Sequence, residues 1–137
     1  MSLKGYRVSK TMSKKIYIDA FFNQYEDFLN QIKEVFPEDP DWKLYISGLA
    51  IFRRTNPLIV VKKTWKYVSQ FEEVIQKRDE KFFMERDYSD FTEGEEPLEQ
   101  TIEKLKGMWA SLTPHNRKIV WEFVNNITTL ARICSSL

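Results

Sequence analysis

Apolar residues recur at steps of three and four along most of the chain, the period of helices that each bury one stripe. From Ile18 the set Phe21, Phe22, Tyr25, Phe28, Leu29, Ile32, Val35 and Phe36 predicts a first helix, which Pro37 ends. Trp42, Tyr45, Ile46, Leu49 and Phe52 mark a second. Leu58, Val61, Trp65, Val68, Phe71 and Ile75 mark a third that runs to about Arg78, with a kink expected near Gln70. A short helical piece from Asp79 to Arg86 carries Phe82 and Phe83, and a loop follows from Asp87 to Glu96. Pro97 then opens a helix with a narrow seam of Leu98, Ile102, Leu105, Trp109 and Leu112. Val120, Phe123, Val124, Ile127, Leu130 and Ala131 give the last helix its stripe.

Three of these starts share one device. Asp39-Pro40, Asn56-Pro57 and Thr113-Pro114 each place a capping side chain before a proline. The cap accepts from an otherwise unpaired N–H of the first turn, and a proline at the first helical position has no N–H to leave unpaired. No segment alternates in the manner of a strand, and Ile59-Val60-Val61 falls within a helical frame. The expected fold is all-α, a compact bundle of five to six helices over residues 16–137. Lys4, Arg7, Lys10, Lys14 and Lys15, with no acid among residues 1–15, predict a flexible basic N-terminal tail.

A chain of 137 residues suffices for one domain with its own core, and 42% hydrophobic and 30% charged residues exclude a disordered class. Aromatic residues reach 15%, more rings than an ordinary core of this size calls for, so some are expected at an interface. One cysteine, Cys134, allows no internal disulfide, which favours a reducing, intracellular setting. No signal-like stretch opens the chain, and apolar runs such as Leu58 to Val61 are too short to cross a bilayer. A formal charge of +1 offers no long-range field toward nucleic acid or anionic lipid, so any such binding must be local.

Candidate chemistry is sparse. His115 is the only histidine, and no nucleophile elbow, zinc-protease motif, Cys/His cluster or glycine-rich phosphate loop accompanies it. The expectation is no enzyme, no cofactor and no metal. The acidic segment from Glu85 to Glu99 invites a calcium reading, but placing Gly94 at the glycine of an EF-hand loop puts Ser89 and Gln100 at its ends, where carboxylates belong. From Trp42 to Tyr67, in contrast, Lys43, Arg53, Arg54, Lys62, Lys63 and Lys66 occur with no acid between them. Lys62, Lys63 and Lys66 share the helix face away from Leu58, Val61 and Trp65, and like charges four apart slightly disfavour a helix unless a partner uses them. Residues 70–103 hold twelve acids and four bases, a net of −8, so the basic face is balanced within the molecule, or by a second copy in a homodimer, or by a partner. Trp121 borders the last stripe rather than lying in its middle, which makes it either a second interface anchor or a residue at the core's edge.

Several stretches together resemble a known family: FFNQYEDFLNQIKEVFPEDP at 21–40, TNP at 55–57, RDEKFFMERDYSD at 78–90 and WASLTPHNRKIVWEFVNNI at 109–127. The closing pattern, here Leu112, Thr113, Asn116, Val120, Trp121 and Phe123, is its most recognisable part. The chain is in this respect similar to short, functionally uncharacterised proteins encoded by large nucleocytoplasmic DNA viruses of algae and protists, over residues 21–130. The resemblance implies a viral accessory or virion-associated role in the host cytoplasm or viral factory. Its motifs concern packing and carry no active site. The expected function is thus a non-enzymatic protein interaction module using Arg53, Arg54, Lys62, Lys63, Lys66 and Trp121. Nucleic-acid binding through the basic tail and basic face is the alternative, and no membrane contact is expected.

Overall fold

Each apolar stripe becomes a helix. The computed structural model describes residues 10–90 and 96–137, and the side chains of 12–90 and 102–137. In chain order the elements are α1 (Lys10–Val35), α2 (Asp41–Thr55), α3 (Pro57–Val68), a 3-10 turn (Ser69–Phe71), α4 (Glu72–Lys77), α5 (Glu80–Glu85), α6 (Glu96–Trp109) and α7 (Pro114–Ser136). No strand occurs among the described residues, and none of their helices is long and apolar enough to cross a membrane.

The first helix corrects one expectation. It starts at Lys10, so residues 10–15 of the predicted tail are helical, and residues 1–9 lie outside the described residues. Extending a helix from a packed nucleus costs little, and Lys14 lies beside Cys134 and Ser135 at the C-terminal end of α7, where the helix dipole favours a cation.

The three proline-marked starts behave differently. Asp39 Oδ1 accepts from the Asp41 N–H at 3.0 Å while Pro40 is already helical, and Thr113 Oγ1 accepts from the Asn116 N–H at 3.1 Å. Asn56 forms no side-chain cap, although Pro57 occupies the first helical position. Its backbone N–H is engaged instead with the Phe52 carbonyl that ends α2, at 2.8 Å. The kink expected near Gln70 is a full break. Ser69 Oγ and Gln70 Nε2 both donate to the Lys66 carbonyl, at 3.3 and 3.2 Å, a local alternative to the helical ladder. Arg78, at φ 53°, closes α4 in the left-handed region, and Asp79 caps α5 through the Phe82 N–H at 3.0 Å.

α1 and α7 form an antiparallel central pair: Gln24 meets Asn126, and the rings of Phe28 and Phe123 lie 5.6 Å apart. α2 and α3 pack on this pair around Phe21, Phe22, Trp42, Val61, Ala131 and Cys134, the deepest part of the core. A second, smaller cluster of Ile75, Trp109, Leu112 and Trp121 joins α4, α6 and α7. Lys104 links α6 to the start of α2 by binding both Asp39, at 2.7 Å, and Asp41. That contact, with the Asp41 N–H, holds the Asp39 carboxyl below its ordinary range. Burial works against the charged Lys104, but the two carboxylates outweigh it and leave its ammonium raised.

Candidate functional site

The basic residues separate into two groups. Arg54, Lys62, Lys63 and Lys66 are exposed around the end of α2 and along α3. Arg53 is not part of that surface. Its Nη1 donates to Glu26 Oε2 at 3.1 Å and its Nη2 to Asn23 Oδ1 at 3.0 Å, with the guanidinium 5.6 Å from the centre of the Phe22 ring. It fastens α2 onto α1, so its assignment to a binding face is withdrawn.

Lys14, Lys62 and Lys66 stand around an open groove of about 280 Å³ with Leu58, Val61, Trp65 and Cys134 among its walls. Three helices supply it: α1 gives Lys14, α3 the middle of the floor, and α7 its last turn. Leu58 in its wall is 38% exposed, and Ile51, Phe52 and Ile59 are exposed elsewhere on α2 and α3 at 51%, 47% and 37%. In the chain these residues lie on either side of the Asn56-Pro57 corner, where α2 passes into α3. The Cys134 thiol is buried, which pushes its pKa up against a weaker downward pull from Lys14, so it stays a protonated packing group.

Trp121 is also corrected. At 7% exposure it is buried in the second cluster, 5.7 Å from Trp109 and 6.4 Å from Phe83 in edge-to-face arrangements, and it is no surface anchor. These rings border a partly open chamber of about 220 Å³ between α1, α4, α5, α6 and α7, lined almost wholly by carbon. Tyr88 is held at its wall by donating to the Phe83 carbonyl at 3.2 Å, and burial raises its phenol pKa despite nearby Arg86. The buried indole N–H groups of Trp109 and Trp121 meet no acceptor. Leaving such a donor unpaired costs about 1–3 kcal/mol. Sequence reasoning missed this chamber, although the crowding of Phe71, Phe83, Tyr88, Trp109 and Trp121 was its signal.

His115 is exposed on the first turn of α7. Among the described residues no three His, Cys, Asp or Glu side chains are grouped to hold a metal ion. The acidic segment proposed and set aside as a calcium loop lies partly outside the described residues. Comparison with protein-family models, with curated proteins and with solved structures gives no match.

Proposed function

We propose that this protein is a non-enzymatic interaction module whose basic groove receives an acidic, amphipathic segment of another protein. The observation that carries the reading is the pairing of an apolar floor, Leu58, Val61 and Trp65, with a rim containing Lys14 and Lys62. An amphipathic helix recognised in a groove supplies apolar anchors at three- and four-residue spacing, and acids flanking those anchors would meet this rim. The resemblance to viral proteins extends the reading to its setting: an accessory or virion-associated protein acting inside an infected cell.

The test is fluorescence anisotropy with a labelled synthetic helix bearing leucine on one face and glutamate on the other, against its lysine counterpart. The glutamate helix binds, binding weakens with salt, and the double change Lys14→Glu with Lys62→Glu weakens it by about tenfold or more. Equal binding of both helices, or no loss in the double variant, refutes the reading. Sedimentation in the same buffers reports whether the acidic half of a second copy occupies the groove instead. Salt-sensitive retention on DNA with no peptide binding moves the assignment to nucleic acid.

A further inference from the structure

We propose that α6 is a strap that detaches from the bundle on its own, hinged at its C-terminal end, and that the Lys104 ammonium is its clasp. The hinge end is firmly held. Trp109 is 6% exposed and packs edge-on against Phe83 and Trp121, and Arg117 of α7 donates to the Trp109 carbonyl at 3.1 Å and to that of Ala110 at 3.4 Å. The rest of the helix has no such anchor. Among its described side chains Trp109 alone is buried, and Ile102 and Leu105, earlier in the same apolar seam, line the partly open chamber of about 220 Å³. An apolar side chain beside a void lacks partner atoms on that side and forfeits their dispersion attraction, so the seam holds less well than its length suggests. Close backbone packing joins α1, α2 and α3 to one another and α7 to α1, α3 and α4, whereas α6 meets its neighbours mainly through side chains.

Two lysines take over where the apolar contact is thin. Lys104 crosses to the start of α2, where it binds Asp39 at 2.7 Å and Asp41, with its ammonium 5.6 Å from the centre of the Trp42 ring. Lys106 donates to the Arg86 carbonyl at the end of α5, at 2.8 Å. Residues two apart on a helix point about 200° from one another, so these ties grip the strap from its two flanks. Lys104 is the clasp because it meets two carboxylates at the start of a core helix, whereas Lys106 reaches only the short α5. Elements with few buried apolar contacts open at free energies below that of global unfolding. Detachment and unwinding go together here, because a helix of 14 residues is marginal in water on its own. Opening uncovers Phe28, Val120 and Val124, which line the chamber from α1 and α7. No residue of α6 lines the basic groove, so the strap does not depend on what the groove receives.

Hydrogen exchange of the full-length protein, followed amide by amide by NMR where the rate reports the population of the open form, tests this. Relative to their intrinsic rates, the amides of Ile102 to Lys106 exchange at least about tenfold faster than those of Thr128 to Ala131 in α7. Two variants then separate a strap from a uniformly weak fold. Val61→Ala, in the deepest part of the core, speeds exchange in α7 by about tenfold or more and leaves α6 unchanged, since the strap opens without breaking that core. Lys104→Met speeds α6 and α7 by the same factor, about three- to tenfold, since the clasp is absent from the detached form and the unfolded chain alike. Should Val61→Ala fail to fold, Ile127→Val makes the same comparison with a smaller loss. Equal speeding of α6 and α7 by the core variant, or α6 amides as slow as those of α7 in the parent, overturns the strap. Unchanged α6 exchange in Lys104→Met overturns the clasp.

Discussion

Replacing Arg53 with methionine tests whether this cation is a structural fastener rather than part of a binding face. Its guanidinium reaches three residues of α1 on successive turns: Glu26 at 3.1 Å, Asn23 at 3.0 Å and the Asp19 carbonyl at 3.5 Å. Hydrogen bonds to a charged group contribute about 1.5–3 kcal/mol when well desolvated, whereas exposed ion pairs contribute about 0.2–1 kcal/mol. The Arg53 and Glu26 side chains are 27% and 28% exposed, between those limits. The stem of methionine keeps most of the apolar contact with Phe22, so that term largely cancels. The expected loss is about 2 kcal/mol, or a melting temperature lower by about 6–8 °C for a domain of this size. Urea denaturation of Arg53→Met, Glu26→Gln and the double variant measures it, with a coupling near 1 kcal/mol between the two sites. Arg54→Met, on the exposed neighbour, changes stability by less than about 0.5 kcal/mol. A loss under about 0.5 kcal/mol for Arg53→Met, with no coupling to Glu26, refutes the fastener and returns Arg53 to the surface.

Two further outcomes follow from local geometry. Thr113→Ala removes the hydroxyl that accepts from the Asn116 N–H and destabilises the protein by about 1 kcal/mol, while Asn56→Ala, lacking a side-chain cap, costs less than half of that; paired urea curves show whether the order holds. The Asp39 carboxyl is held below its ordinary value of 3.8, so its stabilising contribution is complete above that value and disappears as pH falls through the lower, folded one. Asp39→Asn is therefore less stable than the parent at pH 7, and the gap closes below about pH 4 in denaturation curves taken across that range; a gap independent of pH contradicts the Lys104 contact.

Helix existence was legible because periodicity is a local property of the chain, and Thr113 and Asp39 act as their positions predict. Asn56 does not, since the two-residue corner makes it the end of α2 and the start of α3 together, and its backbone follows the first role. Arg53 was illegible as a fastener because its partners lie 27 to 34 residues back and meet it only once α1 and α2 pack side by side. A trace of them exists on α1, where Asp19, Asn23 and Glu26 are spaced by four and three residues beside the buried stripe. Trp121 was misjudged on the assumption that α7 buries one face. Trp121, Val124 and Thr128 form a second row at helical spacing, and Trp121 and Thr128 are buried because α7 lies between two clusters.

That position of α7 also separates the chamber from the groove. Trp121 borders the chamber and Cys134 borders the groove, separated by roughly 20 Å at a helical rise of about 1.5 Å per residue. Between them Ile127, Thr128 and Ala131 are buried, at 6%, 4% and 0% exposure. Coupling across such a distance needs an element with two alternative packings, and a continuous helix seated in a dense core offers none.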